Sequence, residues 1–361
     1  MAKEKEEPKL FYSPKKGCKT KITNRRVSYF VEIIDILSKL KTDLIHIEED
    51  FMYVSDGDVA IKALLRLGVK ASVDRKEFKK IVKPIEGEFT TTLFDDRLEF
   101  AWGEGNVTSI NIEPSREDCD WRFGKELSMF DDDDFYHGLV CGGAGVDIDG
   151  NGRLGFVHYD GETVTATDNV VLSQAEYLVR PENRYPFSIS GKTIKVWKDL
   201  NLPTKYICVY ENGCQIMLRD DVIIQDKSNY CNFTPISKAL NSKVSQFRTL
   251  SGNKFKLSDK IWKSLSMFKK CKEITLKNNE IVSGSENLKV AIDITPFEND
   301  EESFTIDISQ FYRLKPLVTS SSDFSVIKAD VGPHINTFLY VEPDPGLEDA
   351  IIIGGIAEEK E

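Results

Sequence analysis

Apolar and polar positions alternate along most of this chain in short stretches, which is typical of half-buried β-strands. The clearest example is residues 151–172, where β-branched and alternating residues flank the dipeptide Asp160-Gly161. Because this dipeptide tolerates positive φ, we predict two short strands joined by a turn there. The second strand ends in a polar corner at Thr167 and Asp168.

The same order of elements occurs three times: strand, turn, strand ending in a polar corner, strand, and a short helix. In the first two copies a capping residue, Asp74 or Ser190, predicts where the helix starts. The three aligned helix starts are Ser72-Val-Asp-Arg-Lys-Glu-Phe, Ser188-Ile-Ser-Gly-Lys-Thr-Ile and Thr305-Ile-Asp-Ile-Ser-Gln-Phe. We therefore predict three copies of one unit of roughly 110–120 residues.

This repetition predicts an α+β protein of three repeated domains. Residues 1–26 are polar and lysine-rich and are expected to be a flexible extension. The predicted domains are 27–117, 118–245 and 246–361. Each opens with a helix, over 27–40, 128–140 and, after Ser258 as N-cap, 259–270.

Length and composition fit a globular protein of two or three domains, with 361 residues, 40% hydrophobic and 30% charged. No apolar run approaches the roughly 18–20 residues that span a bilayer, and the N-terminus does not read as a signal peptide. The seven cysteines form no Cys-x-x-Cys pair, so neither a disulfide framework nor a zinc site is indicated. We expect a cytoplasmic protein without metal or cofactor.

The formal net charge of −11 argues against a nucleic-acid partner, but the basic residues are clustered on short helices. On the helix after Asp74, four lysines share one face and Phe78 and Val82 lie on the other. Lysine point charges with little arginine suit phosphate contacts that ignore base sequence. The residues predicted to face double-stranded DNA are Lys76, Lys79, Lys80, Lys83, Lys192, Lys195, Lys198, Lys260, Lys263 and, more weakly, Arg313.

Several motifs resemble part of a binding or catalytic site but lack a residue or a spacing that the site requires. Asp147-x-Asp149-x-Asn151-Gly152 begins like a calcium-binding loop, but His158 stands where a bidentate Glu is needed. The glycines of 142–145 lack the lysine and spacing of a phosphate loop. The four histidines, His46, His137, His158 and His334, lack a recognisable catalytic arrangement and are interpreted as structural.

The acidic run from Asp131 to Asp134 is most simply a solvated helix start that the helix dipole favours. It also leaves an enzymatic alternative open. A metal-dependent hydrolase would use aspartates of the region from Asp131 to Asp149.

The segment Asn151-Gly-x-Leu…Val-Thr-Ala-Thr-Asp168-x-x-x-Leu172 resembles a motif of the bacterial-type DNA sliding clamp, the beta subunit of DNA polymerase III. Ser237-Lys238…Phe247-Arg248 is similar to the segment that leads into the third domain of that family. The resemblance covers about residues 27–356 in domain order, length and helix placement.

The resemblance implies a non-enzymatic processivity factor for DNA replication. Two subunits would form a closed homodimer ring, with sheets outside and helices lining a hole that encircles duplex DNA. A peptide of the polymerase or the clamp loader would dock in an apolar pocket between the second and third domains. The matching positions are Gly150, Thr167, Asn169, Val170, Val171, Leu172, Arg248, Ile352, Ile353 and Ile356.

The departures from the family pattern cluster at this pocket. The family's Gly-x-Arg after Thr-Asp is Asn169-Val170-Val171 here, and the chain ends in an acidic tail. A phage-encoded clamp that serves its own polymerase would explain such drift, and the partner motif is expected to differ from the usual one. A clamp-like structural or inhibitory protein that does not close a ring is the alternative.

Overall fold

The computed structural model describes residues 19–22, 24–113, 123–131, 133–148, 152–176, 185–219, 222–227, 234–250, 254–257, 260–283, 288–292, 294–300, 302–315, 317–331, 334–343 and 349–355. Two predicted pocket residues, Gly150 and Ile356, lie outside the described residues, as do Asp132, Asp149 and the side chain of Lys260.

Seven helices are present in the described chain: α1 Asn24–Leu37, α2 Arg75–Val82, α3 Asp133–Gly142, α4 Gly191–Leu200, α5 Thr234–Leu250, α6 Lys260–Leu265 and α7 Ile308–Leu314. The strands described are β1 Lys19–Ile22, β2 Leu44–Ile47, β3 Phe51–Ser55, β4 Val59–Leu64, β5 Ala71–Asp74, β6 Phe89–Leu93, β7 Arg97–Trp102, β8 Asn106–Glu113, β9 Glu126–Phe130, β10 Phe156–Tyr159, β11 Thr163–Thr167, β12 Val171–Glu176, β13 Phe187–Ser190, β14 Tyr206–Tyr210, β15 Gly213–Arg219, β16 Val222–Asp226, β17 Lys254–Phe255, β18 Glu273–Lys277, β19 Glu280–Ser283, β20 Lys289–Ala291, β21 Phe304–Asp307, β22 Asp323–Val331, β23 His334–Glu342 and β24 Ala350–Gly354.

The chain divides into two compact units, Met1–Lys125 with Val196–Lys227, and Glu126–Lys195 with Ser228–Glu361. This division is coarser than the three predicted domains, whose boundaries stay a prediction.

Unit 1 is built on an antiparallel sheet in the order β1-β6-β7-β8-β5-β2-β3-β4-β16-β15-β14. Helices α1 and α2 contribute to a core of buried aromatic side chains. Phe30 of α1 meets Phe78 of α2 edge to face at 5.9 Å between ring centroids, and Phe89 and Phe100 of the sheet pack around Phe30. Such aromatic burial is a large apolar contribution to stability.

Unit 2 contains two antiparallel sheets, in the orders β13-β10-β11-β12-β24-β23-β22-β17 and β20-β19-β18-β21. Helix α3 can approach β11 and β12 closely because a glycine ends it and further glycines form the 3₁₀ turn that follows. A Cβ on Gly142 would collide with Val164, and one on Gly145 would collide with the carbonyl of Ala166. The glycines that fail as a phosphate loop therefore serve close packing.

The three aligned segments form the same local structure. Asp74, Ser190 and Asp307 each cap the helix that follows and accept a backbone hydrogen bond in its first turn. The strand before each cap also pairs with an earlier strand through equivalent polar residues. These pairs are His46 with Ser72 at 2.8 Å, His158 with Ser188 at 2.7 Å and Thr275 with Thr305 at 3.0 Å.

Three sequence predictions need correction. Part of the predicted extension is structured, because β1 pairs with β6 and α1 already begins at Asn24. The helix predicted over 128–140 is instead strand β9 followed by α3, since Ser128 and Phe130 alternate as buried residues. The strand predicted from Gly152 starts only at Phe156, after a 3₁₀ turn.

Candidate nucleic-acid interface and peptide pocket

Helix α2 separates charge from apolar surface most clearly. Its side chains Phe78 and Val82 are fully buried against the sheet, while Lys76, Lys80 and Lys83 are exposed. The period of 3.6 residues per turn places these lysines on the outer face. The result is a face of exposed ammonium groups on a helix whose other face is packed on the sheet.

Lys79 shares this face but already has a partner. Its Nζ lies 2.7 Å from Oδ1 of Asp35 on α1, and both side chains are more than half exposed. An exposed ion pair of this kind contributes little to stability and is screened by salt. Lys79 would therefore exchange Asp35 for a phosphate at small cost, but it adds less net attraction than its neighbours.

Helices α4 and α6 carry smaller versions of the same pattern. On α4, Lys195 and Lys198 are exposed and Lys192 is half-buried, while Ile194 and Trp197 are buried. On α6, the described side chain of Lys263 is exposed opposite the buried Leu265.

Arg313 differs from the other predicted DNA-facing residues. Its Nη1 donates to Oδ2 of Asp168 at 2.6 Å, so the guanidinium is engaged by a carboxylate of the same unit. That Arg313 faces DNA stays a prediction, and a phosphate would have to displace a short, partly buried ion pair to reach it.

The corner between β11 and β12 is a tight turn built around Asp168. Its Oδ1 accepts from the backbone N–H of Val170 at 2.9 Å and of Val171 at 2.7 Å, and Thr167 accepts from the N–H of Asn169 at 3.1 Å. Asn169 has φ 75°, in the left-handed region that asparagine tolerates better than most residues. The turn leaves Val170 46% exposed.

Behind this corner lies a buried apolar core cluster at the predicted peptide site, and we call it the α5 pocket after that prediction. Leu172 of β12 stands directly opposite Ile352 of β24 in the antiparallel register. Phe247 of α5 meets Phe338 of β23 at 4.9 Å between ring centroids. The buried floor is Val244, Ile327, Tyr340, Ala350 and Ile352, and the partly buried wall is Leu172, Phe247 and Phe338.

Arg248 adds a positive charge at the edge of the α5 pocket. Burial raises the pKa of Tyr340, and the charge of the nearby Arg248 opposes that rise while that of Glu342 adds to it. The Arg248 guanidinium is therefore a neighbour of Tyr340 and adds a cation beside the apolar floor, with the Glu342 carboxylate also close.

Two predicted pocket residues face the other side of the sheet. Val171 and Ile353 are paired directly and are each 0% exposed. Side chains alternate along a strand, so they share the face of Ser173, which hydrogen-bonds to Gly142 and Gly145 at the end of α3. They lie on the face of the sheet that packs against the end of α3 and not on the face that lines the α5 pocket. Ile327, Phe338 and Tyr340 were missed because their strands carry no motif.

The described histidines have partners that the sequence did not reveal. His46 and His158 are each hydrogen-bonded to a serine of the neighbouring strand, which agrees with a structural role. Because His158 is buried and bonded in this way, it does not act as the twelfth residue of a calcium loop. His137 lies 3.3 Å from the thiol of Cys141. The side chain of His334 lies outside the described residues.

The antiparallel sheets and the capped helices that follow their strands define a protein with the DNA sliding-clamp fold. The DNA polymerase III beta subunit of Thermotoga maritima matches with a TM-score of 0.65 and 16% identity, covering 94% of this chain and 99% of that one. A sliding clamp of Pseudomonas aeruginosa matches at 0.64 and 12%, covering 94% and 99%. The Helicobacter pylori beta clamp bound to a DNA ligase peptide matches at 0.62 and 12%, covering 94% and 100%.

At these identities the likeness establishes the fold and a wide divergence in sequence, and the expectation of an α+β clamp fold is confirmed. Neither a protein-family model nor a curated protein sequence matches the chain. Among the described residues, no helix combines the length and the apolar character that crossing a membrane requires.

Proposed function

We propose that the protein is a DNA sliding clamp, a processivity factor that encircles duplex DNA and tethers a DNA polymerase at the replication fork. The observation that carries the proposal is the lysine face of α2 in a chain with the clamp fold. Lys76, Lys80 and Lys83 are exposed although the chain as a whole is acidic.

The chemistry of this face suits sliding. Ammonium groups attract phosphates without reading base edges, so contacts form equally well at every position along the duplex. Lys195, Lys198 and Lys263 extend the same chemistry to α4 and α6. Binding of this type is weak, independent of sequence and strongly dependent on salt.

A ring requires surfaces that join subunits, and β8 offers one. Within the described residues, β8 pairs with β7 along its length, whereas β5 reaches it only at Ile112 and Glu113. The remaining edge is exposed, with Val107 57% accessible. An open edge of this kind can pair with a strand of another chain, and we propose that it contributes to a homodimer ring.

The tether would be the α5 pocket. Its apolar floor and Arg248 suit a short peptide that carries large apolar side chains and an acidic group. A polymerase or a clamp loader would supply this peptide. The H. pylori clamp was solved with a DNA ligase peptide, which supports peptide binding as a role for this protein.

The decisive test uses the topology of the DNA. Subunits separated by mild denaturant are returned to buffer with a nicked circular plasmid, and unbound protein is removed by gel filtration in high salt. We expect protein to stay on the circle and to leave when a restriction enzyme linearises it. Loss from the circle in salt, together with a monomer in sedimentation, would support the non-closing clamp-like alternative.

The DNA-facing surface is tested by the triple variant Lys76→Glu, Lys80→Glu and Lys83→Glu. The slope of log affinity against log salt should fall by roughly 0.9 for each phosphate that the variant no longer neutralises. The control reverses three exposed lysines in strands and turns, Lys125, Lys205 and Lys277, and so makes the same change in net charge. An equal decrease of DNA binding in both variants would show a general charge effect and contradict the assigned face.

A further inference from the structure

Three side chains of metal-ligating types converge in unit 2. His137 and Cys141 are four positions apart on α3 and so share one face of the helix. Nε2 of His137 lies 3.3 Å from Sγ of Cys141. A carboxylate oxygen of Asp349, the residue before β24, joins them, and the three donor atoms all lie within 4.8 Å of one another.

The packing of α3 brings these residues together. Ser173 of β12 hydrogen-bonds to backbone groups of Gly142 and Gly145, which holds the end of the helix against the sheet. Strand β24 pairs with β12, so its first residues lie beside the same helix. Cys141 and Asp349 are buried while His137 is exposed, which leaves one side open to solvent as an entry path.

The donor set selects a class of metal. Imidazole nitrogen, thiolate sulfur and a single carboxylate suit a borderline divalent ion such as Zn²⁺, whereas calcium and magnesium prefer oxygen donors alone. Zinc bonds of about 2.0 Å to nitrogen and about 2.3 Å to sulfur at a tetrahedral angle place those atoms about 3.5 Å apart. The observed separation of 3.3 Å between Nε2 and Sγ is close to that spacing, and the Asp349 oxygen, within 4.8 Å of the other donors, would move closer to them on binding.

We propose that His137, Cys141 and Asp349 form a binding site for one Zn²⁺ ion, with a water molecule as fourth ligand on the solvent side. On binding, the cation would take the Cys141 sulfur as thiolate and release the thiol proton to solvent, while the Asp349 carboxylate supplies an oxygen donor. It fastens α3 to the start of β24, the strand that carries Ile352 into the α5 pocket. The site does not depend on the proposed clamp function.

The test uses the full chain purified without a histidine tag. After treatment with a chelator, Co²⁺ is added as a spectroscopic substitute for Zn²⁺ and titrated by absorption. We expect saturation at one ion per chain, visible bands of a tetrahedral site, a near-ultraviolet sulfur-to-cobalt band, and displacement of cobalt by Zn²⁺. If Co²⁺ does not bind stoichiometrically, the proposed metal site is wrong and the three side chains form only a hydrogen-bonded cluster.

Variants assign the ligands. Cys141→Ser should remove the sulfur band, whereas Cys271→Ser, which removes another buried thiol, should keep it. His137→Gln changes an exposed side chain, so the fold should survive, as circular dichroism can verify. This variant should bind Zn²⁺ at least about tenfold more weakly. Unchanged affinity in His137→Gln, or a sulfur band retained in Cys141→Ser, would refute the assignment.

Discussion

Arg313 Nη1 lies 2.6 Å from Oδ2 of Asp168, although the two residues are 145 positions apart. The Asp168 side chain is only 8% exposed and that of Arg313 is 32% exposed. The other carboxylate oxygen accepts the N–H groups of Val170 and Val171. One aspartate therefore fixes the corner beside the α5 pocket and is itself held by α7.

Replacing Arg313 by Ala should destabilise the protein. The variant leaves the Asp168 carboxylate nearly buried with only backbone donors, so we expect a decrease of about 2 kcal/mol in the apparent free energy of unfolding. Urea denaturation followed by circular dichroism measures the change.

The control for this prediction is Arg66→Ala. Arg66 also pairs with an aspartate, Asp50, at 3.1 Å, but its side chain is 83% exposed. An exposed pair contributes about 0–1 kcal/mol, so this variant should unfold close to wild type. Equal destabilisation of the two variants would contradict a special role for the pair of Arg313 and Asp168.

The left-handed residue of the same corner gives a second prediction. Asn169 stands where the equivalent corner of the first repeat has Gly57, and both have positive φ, 75° and 102°. Asn169→Gly should therefore leave the urea midpoint nearly unchanged. Asn169→Val should lower the free energy of unfolding by about 1–2 kcal/mol, because a β-branched residue is strained in this conformation. A midpoint that falls equally for Gly and Val would rule out backbone strain as the cause.

Local features could be predicted from the sequence because neighbouring residues determine them. The turn at Asp160 and Gly161 forms as expected, with Thr163 N–H donating to Asp160 at 2.8 Å and Gly161 at φ 104°. The caps Asp74 and Ser190 form for the same reason. Repetition of these local signals predicted repeated α+β units, and the resemblance of the segment 151–172 to a clamp motif added the clamp fold.

Features that depend on distant pairing could not be predicted. Leu172 and Val171 are both apolar, and only the position of α5 and α3 on opposite faces decides which of them lines the pocket. The metal-binding cluster could not be predicted for a simpler reason. The predicted helix over 128–140 ends before Cys141, so the sequence pattern does not place His137 and Cys141 one helical turn apart.

The pair of His46 and Ser72 predicts a dependence of stability on pH. Burial lowers the pKa of His46 below its ordinary value of 6.5, against a smaller opposing effect of Glu48, and the ring also stacks on Tyr53. The folded state therefore binds a proton less readily than the unfolded state. The stability that uncharged His46 contributes is fully present above about pH 6.5 and is lost as the pH falls through the lowered pKa of the folded state.

His46→Gln should flatten this part of the pH dependence. Urea midpoints of wild type and variant are compared at about pH 8 and about pH 5.5, where the protonation of His46 differs most between folded and unfolded chains. The urea midpoint of wild type should exceed that of the variant by more at the higher pH than at the lower pH. A difference that is the same at both values would exclude His46 as the titrating group.

The α5 pocket predicts a particular pattern of peptide binding. Peptides selected from a displayed library on the wild-type protein should carry large apolar residues and an acidic residue, which matches the apolar floor and Arg248. Phe247→Ala removes part of the wall and should weaken binding at least about tenfold, measured by fluorescence anisotropy of a labelled selected peptide. Met267→Ala, which shortens an exposed apolar side chain elsewhere in unit 2, is the matched control and should bind as wild type does. Thermal unfolding of Phe247→Ala establishes that the variant is folded at the assay temperature. If the folded variant binds the peptide with the affinity of wild type, the peptide site lies elsewhere.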